Sequence, residues 1–143
     1  MKVEIHPLKS IPLNKMQFAA IMARYQGKWI FVKHKDRKKW EFPGGRVEED
    51  EVVFDTAGRE LMEETGSIKF ALLPVAMYTV NDNGSESYGM LFFADVDEFG
   101  ELPEESEMVV QDLFKELPDD LTYPEITSAL YDTTIKFLIE KGI

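Results

Sequence analysis

The chain has 143 residues, 44% of them hydrophobic, which suits one domain with a buried core. Its 27 acidic residues outnumber the 16 basic ones, and the formal charge of −11 argues against a protein that coats DNA or RNA. The absence of cysteine excludes a disulfide framework, a thiol nucleophile, an iron–sulfur cluster and a zinc ribbon. No apolar run is long enough for a signal peptide or a membrane span. We therefore expect a single domain over residues 1–143, located in the cytoplasm and away from membranes.

Two pairs of β-strands are predicted from apolar runs rich in β-branched and aromatic residues. Residues 17–25 and 29–34 form a hairpin around the turn at Gln26-Gly27. Residues 68–80 and 87–96 form a second pair, joined by a turn over 81–84 whose asparagine and glycine residues tolerate a left-handed backbone. Pro74 lacks an amide hydrogen, so we expect it to break the longer run or to lie at a sheet edge.

The first predicted α-helix covers residues 51–65. Its apolar positions recur every four residues, at Val53, Ala57 and Leu61. Asp50 is the expected N-cap, and Gly66 stands where a left-handed residue ends the helix. Gly58 is unfavourable inside a helix, and we interpret it as a close contact between helix and sheet.

The second predicted α-helix covers residues 123–140. Thr122-Tyr123-Pro124-Glu125 matches a capping box with proline in the first turn, and Lys141-Gly142 closes the other end. Strands before and between two helices indicate an α+β fold, in which a mixed sheet packs against helices.

A cluster of carboxylates lies on the first helix. Glu60, Glu63 and Glu64 stand at positions i, i+3 and i+4, so their side chains share one face. Carboxylates this close repel one another unless a cation lies between them, and oxygen-only clusters suit Mg²⁺ or Mn²⁺. Arg59 is expected to pair with one carboxylate, whereas Glu51 can join the cluster only from a loop. A solvated helix face in a glutamate-rich chain is the alternative interpretation.

The segment before this helix is typical of a ligand site. Trp40-Glu41-Phe42-Pro43-Gly44-Gly45 is a strand that stops abruptly at a proline and two glycines. At such a point the backbone can pass close to a ligand, and we expect Gly45 to contact the substrate.

From Gly45 onward the sequence resembles the Nudix box, G-x5-E-x7-R-E-U-x-E-E-x-G-U, in which U is a bulky aliphatic residue. The matching residues are Gly45, Glu51, Arg59, Glu60, Leu61, Glu63, Glu64 and Gly66. Ser67 departs from the final aliphatic position, which affects packing at the helix exit. The resemblance implies a Nudix fold, with a mixed β-sheet sandwiched between α-helices, and hydrolysis of a nucleoside diphosphate linked to another group.

The resemblance also implies roles for the matching residues. The Gly44 carbonyl and three glutamates would hold divalent metal, Mg²⁺ or Mn²⁺; the glutamates are Glu60, Glu63 and Glu64. Glu60 or Glu64 would act as the general base, a choice that the sequence leaves open. Arg59 would orient these carboxylates, and Glu51 would support it.

Nudix proteins often draw a further acidic ligand from a loop before the last strand. Residues 101–107 match such a loop, and Glu107 is the first choice for this ligand, with Glu105 the second. Acidic side chains that are merely solvated are the alternative interpretation.

A basic cluster directly precedes the two glycines. Its residues are Lys33, His34, Lys35, Arg37, Lys38 and Lys39. We interpret it as a clamp on the distal phosphates of the substrate, with a solvated loop as the alternative. Tyr123 is placed to stack on a base or to pack on the core.

The W-E-F-P-G-G segment leading into the box resembles the MutT-like branch of the family. That branch hydrolyses nucleoside triphosphates to the monophosphate and pyrophosphate, and some members clear oxidised purine nucleotides. The asparagine that the branch uses before its final helix is absent, since residues 122–125 read T-Y-P-E. We therefore expect a triphosphate pyrophosphohydrolase whose base preference is open and which is a monomer or homodimer.

Three alternatives remain from the sequence. The first is a Nudix hydrolase of nucleotide sugars, dinucleoside polyphosphates or RNA 5′ ends. The second is a nucleotide-binding regulator that has lost turnover. The third is an unrelated acidic adaptor between proteins, which metal-independent folding and a lack of nucleotide affinity would favour.

Overall fold

The structure is a computed structural model that describes residues 1–101 and 108–143. Its strands are β1 (Lys2–His6), β2 (Phe18–Tyr25), β3 (Lys28–His34), β4 (Trp40–Glu41), β5 (Gly44–Arg46), β6 (Ser67–Asp82), β7 (Ser85–Phe99) and β8 (Met108–Phe114). Its helices are α1 (Val53–Thr65) and α2 (Pro124–Lys141), with a short 3-10 helix at Leu13–Lys15.

The strands form one mixed sheet in the order β1-β6-β7-β2-β3-β4, with β5 also paired to β2 and β8 to β3. Strands β2 and β7 run parallel, whereas the other pairings between these named strands, within the described residues, are antiparallel. The predicted mixed sheet is thereby confirmed.

Helices cover both faces of this sheet, as the successive residues of β2 show. On one face, α1 packs against a core that includes Ala19, Ile21, Ala23, Val53, Ala57 and Leu61. On the other face, α2 contributes to a second core that includes Ala20, Met22, Leu130 and Leu138. Because neighbouring residues of a strand point to opposite faces, a strand buried on both sides reads as a continuous apolar run. The predicted sandwich of sheet between helices is confirmed.

Strands β2 and β3 separate from each other beyond their hairpin. They pair only near the turn, at Arg24 with Trp29 and Tyr25 with Lys28. Further along, β5 pairs with β2 and β4 pairs with β3, so the short strands fill the widening gap. The two residues between β4 and β5 are tied to β2 by a hydrogen bond, in which the Ile21 amide donates to the Pro43 carbonyl at 2.9 Å. The two glycines of β5 therefore lie in the gap where β2 and β3 have separated.

Both predicted strand pairs are confirmed. In the turn between β6 and β7, Asn83 and Gly84 have φ values of 53° and 84°, the left-handed backbone that was expected. Pro74 lies at a register shift of β6, beyond the stretch that β1 covers, so it occupies both a bulge and an edge. Strand β1 was not predicted, although its short alternation of apolar and charged residues is the pattern of a half-buried strand.

The predicted start of α1 is wrong. Val52 occupies the N-cap without a side-chain hydrogen bond, and Asp50 lies earlier, in a turn with φ of 63°. The predicted close contact at Gly58 is also wrong, because a Cβ there would meet nothing within 4 Å. The predicted end is confirmed: Gly66 has φ of 73°, and its amide donates to the Met62 carbonyl.

The predicted capping box of α2 is wrong as well. Tyr123 is the N-cap, and no side chain caps the helix. The Thr122 hydroxyl instead donates to the buried Glu41 carboxylate at 3.3 Å, because β4 pairs with the segment just before the helix. Within the described residues, neither helix is long and apolar enough to span a bilayer.

Candidate active site

The two glycines of β5 lie against carboxylates of α1. The Gly44 amide donates to Glu64 Oε1 at 2.8 Å. A Cβ on Gly45 would collide with the carboxylate of Glu60, and a Cβ on Gly44 would overlap the carbonyl oxygen of Ala19. Only residues without side chains therefore allow β5 to fit between β2 and these carboxylates.

Arg59 connects three of the predicted acidic residues. Its Nε and Nη2 donate to the two oxygens of Glu51 at 2.8 and 2.9 Å, a bidentate pair. Its Nη1 donates to Glu60 Oε1 at 2.8 Å and to Glu63 Oε2 at 3.2 Å. The sequence predicted one partner for Arg59, and the structure shows that a single guanidinium orients three carboxylates.

Glu51 reaches the cluster from the loop before α1, as expected. Its Oε1 also accepts from the Thr56 hydroxyl at 2.7 Å and from the Glu48 amide at 3.1 Å. The hydrogen bonds from Arg59 are the main reason that the pKa of Glu51 is lowered to about 2, and the bond from Thr56 adds to the effect. Glu51 is thus a permanently ionised anchor for Arg59.

Glu60 and Glu64 have the opposite electrostatic character. Only 5% of Glu64 is exposed, and burial raises the pKa of its carboxyl well above the usual value, with the nearby Glu60 charge adding to the rise. Burial likewise raises the pKa of Glu60, although Arg59 opposes this shift. Two carboxylates are therefore held close together in a site where negative charge is poorly solvated.

These two carboxylates fit a hard divalent cation. Oxygen ligands are those that Mg²⁺ and Mn²⁺ prefer, and Mg²⁺ commonly binds one or two carboxylates together with waters and substrate phosphates. Among the described residues, no three acidic or histidine side chains are grouped closely enough to enclose an ion. Glu63 is half exposed and bound to Arg59, so it joins such a site only by leaving that contact. The predicted ligands Glu107 and Glu105 lie outside the described residues.

A cleft of about 490 Å³ opens beside the same glycines, on the α2 side of the sheet. Its lining residues are Phe18, Ala19, Arg37, Glu41, Phe42, Gly44, Gly45, Arg46, Tyr78, Val80, Ser87, Tyr123 and Ile126. The walls thus combine aromatic rings with two guanidinium groups. Such a mixture of flat apolar surface and a few polar groups is typical of a nucleotide pocket.

One side of this cleft is closed by a network of three side chains. Arg37 Nη1 donates to both oxygens of Glu41, at 3.1 and 3.2 Å, and to the Tyr123 hydroxyl at 3.0 Å. The Arg37 guanidinium also lies 5.8 Å from the centre of the Tyr123 ring. Tyr123 therefore lines the cleft and does not pack into the core, whereas Arg37 is held at the cleft wall.

The other members of the basic cluster have different surroundings. Lys33 Nζ lies 4.5 Å from the centre of the Trp40 ring, across the β3–β4 pair. His34 ends β3, and Lys35 is exposed in the turn that follows. Of the predicted substrate contacts, the structure brings Arg37, Gly45 and Tyr123 to the cleft, but not Lys33, His34 or Lys35.

Several cleft residues were missed by sequence reasoning. Arg46 directly follows the two glycines, and its guanidinium lies 5.0 Å from the centre of the Phe18 ring. Its place in the chain was a usable signal, since a cation beside a ligand-binding turn suits a phosphate. Phe18, Tyr78 and Ser87 gave no such signal, because only strand pairing brings them to the site.

Comparison with known proteins gives a consistent result. The family model described as NUDIX domain matches residues 13–129. The putative 8-oxo-dGTP diphosphatase YtkD of Bacillus subtilis is 34% identical over 71% of this chain, and the match covers 64% of that protein, less than two thirds of its length.

Solved structures show the same architecture. A mutant of the Bacillus subtilis pyrophosphohydrolase BsRppH superposes with a TM-score of 0.83 at 27% identity, covering 98% of this chain and 91% of that one. The MutT NUDIX hydrolase from Burkholderia pseudomallei gives a TM-score of 0.64 at 22% identity, over 80% of this chain and 94% of that one. The second likeness shows the fold alone.

Proposed function

The chain belongs to the NUDIX family, and from that premise we propose that it is a metal-dependent pyrophosphohydrolase of nucleoside triphosphates. The products are the nucleoside monophosphate and pyrophosphate. The observation that carries this proposal is that two carboxylates, the buried Glu64 and the partly buried Glu60, lie against the two glycines that also wall the cleft. Metal-assisted chemistry and nucleotide binding would meet at that wall.

Glu60, Glu64 and the Gly44 carbonyl are the proposed metal ligands, with Glu63 and Glu107 as further ones. When bound, a divalent ion would neutralise the negative charge of the phosphate oxygens and lower the pKa of the attacking water.

The chain's own groups would do the rest. Glu60 or Glu64 is proposed to accept the proton of that water, from its place beside the two glycines. Arg59 holds the Glu60 carboxylate in place, and Glu51 holds Arg59 through two hydrogen bonds.

The cleft residues are proposed to hold the nucleotide. Phe18 and Tyr123 offer rings against which a base can stack, and Arg46 lies next to Gly45, where the phosphates would pass. Arg37 is available at the opposite wall if the substrate displaces its contact with Glu41. We place the scissile phosphoanhydride beside the two glycines, at the end of the cleft nearest to Glu60 and Glu64.

Oxidised purine nucleotides are a specific candidate within this class. The Bacillus relative at 34% identity is called a putative 8-oxo-dGTP diphosphatase, and its name supports a purine triphosphate here. Cytoplasmic location and a monomeric or homodimeric state stay predictions.

A substrate panel with products identified by mass tests the proposal. Triphosphates, oxidised purine triphosphates, nucleotide sugars, dinucleoside polyphosphates and 5′-triphosphorylated RNA would be incubated with Mg²⁺ or Mn²⁺. We expect pyrophosphate and monophosphate from a triphosphate, and no turnover when the metal is chelated. Cleavage of a nucleotide sugar, a dinucleoside polyphosphate or RNA alone would favour another Nudix activity. Tight nucleotide binding without any hydrolysis would favour a regulator.

A further inference from the structure

Four residues form a row across the floor of the cleft, one on each of four neighbouring strands. In the register of the sheet, Tyr78 on β6 faces Gly89 on β7, Gly89 faces Phe18 on β2, and Phe18 faces Arg46 on β5. Directly paired residues share one face of a sheet. The three side chains of this row, from Tyr78, Phe18 and Arg46, all line the cleft.

Gly89 makes room for Tyr78 within this row. A Cβ on Gly89 would collide with the Cζ atom and the hydroxyl oxygen of Tyr78, so the phenol end lies over β7. The hydroxyl is thereby displaced from its own strand toward Phe18. A glycine in the interior of a strand commonly marks such a close approach.

The Tyr78 hydroxyl has no hydrogen-bond partner in the part of the chain that the structure describes. Tyr78 is only 5% exposed, and burial raises the pKa of its phenol, so the group stays neutral and keeps its proton. The hydroxyl oxygen itself is not fully buried, so it reaches the surface of the cleft. A ligand that places an acceptor there keeps a hydrogen bond with this hydroxyl, whereas one that places a donor there loses it.

We propose that the Tyr78 hydroxyl sets the base preference, by donating a hydrogen bond to a keto oxygen on the base edge farthest from the ribose. The inference rests on the proposed function, which places the phosphates near Gly45 and Arg46. Along the row, each strand adds about 4.8 Å, so Tyr78 lies at the end remote from the phosphates. In a purine, the remote edge carries the C6 substituent, and in a pyrimidine the C4 substituent.

This arrangement selects nucleotides with a 6-oxopurine or a 4-oxopyrimidine. Their keto oxygen accepts the hydroxyl proton, whereas the amino group of adenine or cytosine places a donor against it. A phenol oxygen is a weak acceptor, since its lone pair is delocalised into the ring. One neutral hydrogen bond of this kind corresponds to roughly a tenfold difference in binding.

The test compares two triphosphates that differ at the 6-oxo position, those of inosine and of purine riboside. The ratio of their kcat/KM values would be measured for the wild type and for Tyr78→Phe, which removes only the hydroxyl. We expect a preference of about tenfold for inosine in the wild type and less than about twofold in the variant. Gly89→Ala should abolish the preference too, because it pushes the ring away.

Tyr88→Phe is the matched control, since its hydroxyl donates to Glu86 at 2.7 Å outside the cleft lining. It should keep the wild-type ratio. An inosine preference that persists in Tyr78→Phe, or is absent from the wild type, overturns the proposal.

The corresponding monophosphates, titrated by calorimetry, give the same comparison without turnover. Binding with the expected Tyr78-dependent ratio, but no hydrolysis of any triphosphate, would contradict the proposed function and support this inference. Hydrolysis with equal ratios in both proteins would overturn the inference alone.

Discussion

The carboxylate cluster and the cleft meet at the same two glycines, yet the chain builds them in different ways. The cluster comes from one stretch between Glu51 and Glu64, in which a helix and its preceding loop set all the spacings. The cleft is assembled from five strands and the start of α2, with lining residues from Phe18 to Ile126. The residues proposed for the chemistry are thus encoded locally, whereas the residues of the proposed nucleotide cleft are brought together only by the pairing of distant strands.

The two regions also differ in how their charges are balanced. In the cleft, Arg37 neutralises the Glu41 carboxylate directly, at 3.1 Å. In the cluster, Glu64 is buried without a basic partner among the described residues, and its charge is opposed by burial and by Glu60. The cluster is therefore the region that a bound cation would stabilise.

The largest effect is expected from Glu64→Gln. It removes the charge while keeping an oxygen for the Gly44 amide, so the fold should persist and kcat should fall by on the order of 10²-fold or more. Steady-state kinetics with saturating Mg²⁺ measures this. Glu140→Gln, an exposed position on α2, is the control and should leave kcat unchanged. Equal turnover in the two variants would remove Glu64 from the proposed chemistry.

The second prediction concerns a backbone position shared by both regions. Gly45→Ala places a Cβ against the Glu60 carboxylate, so it should displace that side chain from Arg59 and lower kcat/KM by about tenfold or more. The same kinetic assay reports it. If the alanine variant works as well as the wild type, the close packing of β5 against α1 has no part in activity.

The third prediction belongs to the cleft alone. Arg46→Ala should raise KM by about tenfold while kcat changes less, because it removes a phosphate contact made in the ground state as well as in the transition state. Arg24→Ala is the control, since this arginine also lies over aromatic rings but outside the cleft lining. A loss confined to kcat would assign Arg46 to the chemistry and weaken the division between regions.

The fourth prediction uses pH to probe the cluster. The folded-state pKa of Glu64 lies above its unfolded value, so without metal its contribution to stability is full below about pH 4.5 and is lost as pH rises. Metal-free Glu64→Gln should therefore be more stable than the wild type at pH 8, by on the order of 2 kcal/mol. Urea unfolding at several pH values measures the difference. A difference that is constant with pH would show that Glu64 is not electrostatically strained.

The smallest effect is expected at Gly58, inside α1 but away from both sites. A Cβ added at Gly58 would meet no neighbouring atom within 4 Å. Gly58→Ala should therefore raise the free energy of unfolding by about 0.5–1 kcal/mol through helix propensity, and leave the kinetics of hydrolysis unchanged. Thermal unfolding provides the measurement. A loss of stability would restore the idea of a close contact at this glycine.

The sequence predicted the carboxylate cluster more completely than it predicted the cleft. Glu60, Glu63 and Glu64 were predicted to share one face of α1 from their helical spacing, and Arg59 was predicted to pair with one carboxylate. The supporting role of Glu51 came from the resemblance to the Nudix box. Arg37 and Tyr123 were predicted separately as substrate contacts, but their hydrogen bond to each other depends on β4 pairing with the segment before α2. Such tertiary pairing leaves no periodic pattern in the chain.

The starts of both helices were predicted wrongly, for different physical reasons. Asp50 has the right chemistry for an N-cap, yet the chain turns there and α1 begins later, at Val53. Thr122 was assigned to a cap, but its hydroxyl donates to the buried Glu41 carboxylate, because the pairing of Trp40 with Leu121 brings the two residues together. At Thr122 a tertiary interaction overrode a local preference, whereas at Asp50 a local turn did so.

Direct titration with Mn²⁺, followed by electron paramagnetic resonance, tests the central claim that Glu60 and Glu64 form a cation site beside the two glycines. We expect the wild type and Glu140→Gln to bind Mn²⁺ with equal affinity, and Glu60→Gln and Glu64→Gln each to bind it at least about tenfold more weakly. Undiminished Mn²⁺ affinity in both of the last two variants would contradict it.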